Sequence, residues 1–304
     1  MFSIQKNIYF YAAGITILMG HNMLLIKSLL STVEPLVLTF LRMIFTAATL
    51  AIICYLKFGL IKPSRAQWKD LFIISIFGVF LHQITLALGL ELTQATNGAL
   101  IMGLNPLLTT LLGALLLKEK LFRRHYIGII VSFIGVCFIV FQGFSSFSFS
   151  LGDILLFISM ATQALSFVYT RKLAGSMEII PITAYMYTLG SLMLVVIPIS
   201  QDMSSVFTFS GFIWFKIMIA SVVLTAFGFL GFNICIQYLG AGGASIFLNI
   251  VTVTSMLGAV VYLGEKLLSQ HIFGFLFISV GIWIAAYQKK PSLTVEPAQQ
   301  STGS

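Results

Sequence analysis

The chain has 304 residues, of which 59% are hydrophobic and only 9% charged, with a mean hydropathy of +1.03. A soluble domain carries roughly 25% charged residues, and so apolar a chain has too little polar surface to cover a globule in water; a soluble enzyme, a disordered protein and a nucleic-acid binder are excluded. The net charge of +8 comes from basic residues lying between long apolar runs, where they mark topology against an anionic membrane surface.

A helix needs about 20 apolar residues to cross roughly 30 Å of hydrocarbon. Charge clusters and Gly, Pro and Ser punctuation divide the chain into ten such runs: 8–27, 34–56, 69–90, 94–117, 123–142, 151–171, 178–200, 211–238, 242–263 and 269–288. The first is long for a signal-peptide core and no small-residue cleavage pattern follows it, so it is expected to stay as a transmembrane helix. It carries His21 and Asn22 in its outer half. The second holds Arg42, about two turns in, which could snorkel outward, pair with Glu34 or face a cavity. The third holds His82, beside Gln83 and on one helical face with Gly78, Thr85 and Gly89. The fourth holds Asn105-Pro106, on a face with Gly98, Thr109 and Gly113. A proline removes one helix hydrogen bond, and free backbone polarity at membrane depth is tolerated where it lines a cavity.

The sixth run places Ser159, Thr162, Ser166 and Tyr169 on one face with Gln163 adjacent. The eighth has Asn233 and Gln237 one turn apart, and the ninth has Ser245, Asn249 and Thr252 on one face. Ionisable groups at depth default to functional candidates, yet each Asn, Ser or Thr taken singly is more often helix–helix glue worth about 0.6 kcal/mol. Together they suggest a polar seam shared by helices one, three, four, six, eight and nine. The substrate-binding candidates are therefore His21, Asn22, His82, Gln83, Asn105, Gln163, Tyr169, Asn233 and Asn249. Cys54, Cys137 and Cys235 sit inside apolar runs without metal-ligand spacing, and read as small buried hydrophobes; no metal and no cofactor is expected.

Lys and Arg set the orientation. Thirteen of the seventeen fall at the N-terminus, in the even-numbered loops and after the last run; Lys27, Lys216 and Lys266 fall on the other side, and Arg42 lies within a run. That bias puts both termini in the cytoplasm, which an even number of crossings requires. The polar segment 289–304, with Pro291 and Pro297, reads as a disordered tail.

The halves resemble each other. KEKLFRRHYIGIIVSFIG (Lys118–Gly135) and GEKLLSQHIFGFLFISVG (Gly264–Gly281) align at an offset of 146, matching Glu119, Leu121, His125, Gly128 and Gly135 to Glu265, Leu267, His271, Gly274 and Gly281. Upstream, at an offset of 145, Gly98-Ala99 meets Gly243-Ala244 and Leu112-Gly113-Ala114 meets Leu257-Gly258-Ala259. Repeats are thus expected over 1–145 and 146–288. Each holds five spans, an odd number, so the second enters the membrane from the opposite side. The expected fold is all-α integral membrane: ten transmembrane helices in two inverted-topology five-helix repeats. Such duplication is typical of secondary transporters that bind solute at the repeat interface.

These features resemble the drug/metabolite transporter superfamily, and specifically the EamA-type permeases. The resemblance rests on the ten spans in two five-helix halves, on the acidic-basic corners LLKEKL (Leu116–Leu121) and YLGEKL (Tyr262–Leu267), on the G-x6-G helices that follow them, and on Asn105-Pro106. The second half departs from the pattern, with Ile250-Val251 where a second proline is common. The resemblance covers nearly the whole chain. It implies a multi-pass cell-membrane permease, often an exporter, for a small-molecule substrate.

All nine acidic residues lie near span ends, in loops or in the tail. With no carboxylate at mid-depth, the expected solute is neutral, zwitterionic or anionic, such as an amino acid, and not a lipophilic cation. Proton coupling would fall to His82 or His21, since an ordinary His titrates near 6.5. No Walker, HExxH or GxSxG motif is present, which argues against direct ATP drive and against an enzyme. The alternatives left are a solute channel and a structural membrane protein. The partners expected are solute and lipid bilayer, with no nucleic acid; a monomer and a homodimer both stay open.

Overall fold

The protein is seen here as a computed structural model that describes residues 7–117, 123–140, 150–200 and 202–286. Among the described residues the regular structure is entirely helical. The longer helical stretches among the described residues are, in chain order, α1 (Ile8–Leu29), α2 (Pro35–Phe58), α3 (Arg65–Leu92), α4 (Ala95–Leu117), α5 (Arg123–Val140), α6 (Leu151–Leu173), α7 (Ile179–Ser200), α8 (211–239), α9 (241–263) and α10 (Ser269–Ala286). Seven helical stretches, the last running Gly211–Ser245 across the α8/α9 kink, are long and apolar enough to cross a membrane, and Tyr126–Gly135, Leu248–Leu263 and Ser269–Gly281 are shorter apolar helices. Large apolar side chains such as Phe10, Leu56, Ile199 and Phe212 are exposed. In water each would cost about 25 cal/mol per Å²; against lipid tails that cost is absent.

Local chemistry sets where the rods start and break. Ser64 and Gln67 form a reciprocal capping box, which starts α3 at Arg65, four residues before the sequence expectation. Glu34 Oε2 accepts from Val37 N at 2.8 Å and Pro35 occupies the first turn of α2, where its missing N–H is harmless. Inside a helix, proline collides with the carbonyl four residues back. Pro106 and Pro198 do so here: α4 breaks between Met102 and Asn105, and α7 between Met193 and Val196. Gly240, at φ +77°, turns α8 directly into α9 without a loop, a conformation that a Cβ disfavours.

Two features have no signal in the sequence pattern. Ile76–Leu81 of α3 and Ile219–Phe227 of α8 are π-helical, and these stretches lie at matching places in the two halves. In α9, Ile246 and Phe247 interrupt the helix although no proline follows. The Asn249 side-chain amide donates to Ile246 O at 2.9 Å, so an asparagine holds open in the second half the break that Pro106 makes in the first.

The main packing pairs are α5 with α10, α2 with α7, α4 with α9, α3 with α6, α1 with α8, α1 with α9, α4 with α6, α2 with α8 and α3 with α7. Exchanging every helix with the one five places away returns the same set. The α5/α10 crossing shows why. A Cβ on Gly135 would lie 2.8 Å from Gly274 O, and one on Gly281 would lie 2.5 Å from Gly128 O. At the offset of 146 these contacts are reciprocal, and Ser132 bonds its own counterpart, donating to Ile278 O at 3.1 Å. Later residues of α5 meet earlier residues of α10. The two helices therefore run antiparallel about a local twofold axis.

The second corner closes the structure at the end of α9. Gly264, at φ +68°, ends the helix, and the Glu265 N–H bonds Ala259 O. The Glu265 carboxylate then accepts from Ala95 N at 2.8 Å, Thr96 N at 2.9 Å and Thr96 Oγ1 at 2.6 Å. It caps the orphan amides and the positive end of α4. Glu265→Ala is expected to lower stability by about 1–2 kcal/mol, with Glu265→Gln intermediate; thermal unfolding of the purified protein checks this order. The matching corner acid Glu119 lies outside the described residues. Lys27, read from sequence as a topology marker, donates to Leu90 O and to Thr93 O and so satisfies the carbonyl end of α3.

Candidate functional site

Six helices converge on a partly open cavity of about 70 Å³. It is lined by Met19, Asn22, Met23 and Ile26 of α1, His82, Gln83 and Leu86 of α3, Ala99 and Met102 of α4, Gln163 of α6, Phe229 of α8, and Leu248, Val251 and Thr252 of α9. These are the six helices whose sequences carry the polar seam. Met102 and Leu248 flank the breaks in α4 and α9, so both breaks border the same space. That volume suits a few waters or a solute group of several heavy atoms. Its lining is largely apolar with a few convergent polar groups, the composition of a small-molecule site.

A continuous hydrogen-bonded chain runs from the cavity into α4. His82 Nδ1 lies 2.8 Å from Ser159 Oγ and 3.0 Å from Ser159 O, and Ser159 Oγ donates to His82 O at 3.0 Å. The Gln163 amide Nε2 lies 3.0 Å from His82 Nε2. Asn105 Nδ2 donates to Gln163 Oε1 at 2.8 Å, and Thr109 donates to Asn105 Oδ1 at 2.8 Å. The Ser159 carbonyl can only accept, so His82 Nδ1 carries a proton; with the Gln163 amide N turned to it, Nε2 accepts and the ring is neutral. Ser159 and Gln163 stand four apart on α6, and Asn105 and Thr109 four apart on α4, so helical spacing places each pair on one face. The glycines flanking His82 let α3 approach α6: a Cβ on Gly78 would lie 2.2 Å from Ser166 Oγ, and one on Gly89 would lie 3.0 Å from Gly152 O.

Four sequence candidates, Asn22, His82, Gln83 and Gln163, line the cavity, and Asn105 is joined to it through Gln163. The other four lie elsewhere. His21 is exposed, with Nδ1 2.9 Å from Ile17 O in its own helix. Tyr169 sits beneath the Lys172 ammonium, 5.4 Å from its ring centroid. Asn233 donates to Thr183 Oγ1 at 3.0 Å and ties α8 to α7, while Asn249 serves the α9 break. Met19 and Met23 line the cavity and carry no sequence signal beyond their place in an apolar run. Among the described residues, no group of three or more His, Cys, Asp or Glu side chains could hold a metal.

Arg42 does not snorkel and does not pair with Glu34. It is 1% exposed, and Nη2 donates to Thr225 Oγ1 at 3.0 Å. Thr225 sits in the π-turn of α8, where its hydroxyl donates to Ala220 O five residues back at 2.6 Å. Asn22 Nδ2 donates to the same Thr225 oxygen at 3.2 Å.

A bundle of long apolar helices around a largely apolar cavity with a few convergent polar groups has the architecture of a membrane transporter. The sequence matches the EamA-like transporter family over residues 6–141 and again over 150–287, and the chain belongs to that family. It is 28% identical over 286 residues to the uncharacterized transporter YyaM of Bacillus subtilis, covering 92% of this chain and 93% of that one. It is 26% identical to an uncharacterized transporter of Archaeoglobus fulgidus over 87% of this chain and 93% of the relative. A crystal structure of an 18% identical protein superposes with a TM-score of 0.63 over 90% of this chain and 98% of that chain, which speaks for the fold alone. The protein is a multi-pass membrane transporter of the drug/metabolite superfamily.

Proposed function

We propose that this transporter is a secondary carrier in the cell membrane that exports a small neutral, zwitterionic or anionic metabolite, such as an amino acid, by alternating access. In this reading the chain crosses the membrane ten times with both termini cytoplasmic, and residues 1–145 and 146–288 form inverted repeats. The observation that carries it is the cavity's position. It is lined by α1, α3 and α4 from one half and by α6, α8 and α9 from the other, beside a helix break from each. Two oppositely oriented halves can rock between inward-open and outward-open states of similar energy around such a site. The antiparallel, reciprocal α5/α10 contact supports the inversion.

His82 is the coupling residue in this proposal. As a neutral ring it accepts from Gln163; protonated at Nε2 it becomes a donor, and Gln163 must turn its oxygen to it. Asn105 must then turn in sequence, so one proton would re-polarise the link between α3, α6 and α4. His21, exposed on α1, has no such connection.

A thermal-stabilisation screen against amino acids, nucleosides and organic anions would find the solute, because a ligand that prefers the folded state raises its stability. Flux of that labelled solute in proteoliposomes then tests the mechanism. Saturable uptake with counterflow is expected. Linear, conductive flux without counterflow would indicate a channel instead.

A further inference from the structure

One buried charge plays no part in the His82 relay. Arg42 is buried on α2, and its Nε has no partner. Among the described residues the only ion pair is Lys172–Asp70, at 2.9 Å between α3 and α6; Glu34, which caps the same helix as Arg42, is occupied with the Val37 amide. A guanidinium taken out of water without a counter-charge is strongly unfavourable. Its neighbours do not supply that charge. Thr225 has committed its proton to Ala220 O and accepts from both Arg42 and Asn22. Asn22 links this compartment to the cavity: it lines the cavity and shares Thr225 with Arg42, while its own Oδ1 is unpartnered.

We infer that Arg42, joined to the cavity through Thr225 and Asn22, forms with the Asn22 amide, whose Oδ1 is unpartnered, a subsite for a carboxylate group of the solute. Guanidinium geometry matches a carboxylate in a bidentate fork. Bound there, the carboxylate supplies the missing counter-charge. A solute lacking one leaves the guanidinium unpaired, so the subsite selects acids and zwitterions over neutral and cationic analogues. The assignment of this group to a transported solute rests on the carrier reading; the existence of the subsite does not.

The test therefore needs no flux. Purified full-length protein in detergent is titrated with sodium acetate, with acetamide as the neutral isostere and sodium chloride as the ionic-strength control, and Tm is followed. A saturable rise of a few degrees with acetate alone is expected. Arg42→Gln should lose that rise and, in acetate-free buffer, melt no lower than the wild type, because the unpaired charge has gone. Arg42→Lys, which keeps the charge but loses the fork, should need on the order of tenfold more acetate, and it decides the matter if the Gln variant does not fold. An equal rise with chloride, no rise in the wild type, a rise that persists in Arg42→Gln, or an unchanged half-saturation in Arg42→Lys overturns the subsite. A flat acetate response beside intact counterflow removes the subsite and leaves the carrier standing.

Discussion

Gly281→Leu should abolish recovery of folded, monodisperse protein, and even Gly281→Ala should cost about 2–3 kcal/mol. A Cβ at position 281 would fall 2.1 Å from Ser132 Oγ, 2.5 Å from Gly128 O and 2.8 Å from Ser132 N. The hydroxyl can rotate away, but the two backbone atoms cannot. Relief requires α10 to move off α5, which breaks the Ser132–Ile278 bond and opens the contact around the local twofold axis. In a bilayer no hydrophobic force drives the helices back together, since lipid tails are as apolar as the interface; close packing of small residues supplies the association. Gly14 is the control. It is exposed on α1, and a Cβ there would meet nothing within 4 Å, so Gly14→Ala should be neutral or stabilising by up to about 1 kcal/mol. Size-exclusion profiles and thermal unfolding of the three variants read the difference.

Gln163→Leu is expected to destabilise the protein by about 2–5 kcal/mol and to stop transport. Leucine fills a similar volume but removes both ends of a bridge. His82 Nε2 loses its donor and Asn105 Nδ2 loses its acceptor, and each buried group left unsatisfied costs about 1–3 kcal/mol. The sign of the coupling is the sharper test. Adding Asn105→Leu removes one of the stranded groups, so the double variant should be less destabilised than the two single losses summed. Additive losses would mean that the bridge contributes no more than separate contacts. His82→Gln should separate the two roles of the chain. If His82 carries the coupled proton, accumulation driven by a pH gradient is lost while counterflow, which needs only binding and rocking, persists.

The parts of this fold governed by hydrophobic length and by repetition are visible in the sequence. The runs at 94–117, 151–171 and 178–200 fall within a few residues of α4, α6 and α7, because a change from apolar to charged residues fixes where a helix leaves the hydrocarbon. The match of Gly128 and Gly135 to Gly274 and Gly281 is legible as an offset, but the sequence does not say that the two motifs touch each other. Features set by three-dimensional neighbours stay hidden. The π-turns of α3 and α8 have no periodic signature. The α9 break lacks the proline that announces the α4 break and depends on where the Asn249 amide finds a carbonyl. Arg42 shows the same limit: snorkelling, pairing and burial are equally open on a single helix, and only α8 bringing Thr225 alongside decides among them. The polar residues marked as candidates divide for that reason too. Periodicity tells which share a helical face, and not whether that face meets a cavity, as at His82, or another helix, as at Asn233.

Alternating access requires a solute cavity that two opposed halves open to alternate sides of the membrane. A single reporter cysteine at Leu86, which lines the cavity, in a background with Cys54, Cys137 and Cys235 replaced, tests this directly. In oriented vesicles, a membrane-impermeant thiol reagent should label Leu86→Cys from either side, and a bound solute should protect it from both. Labelling from one side only, whatever the solute or gradient, would contradict it.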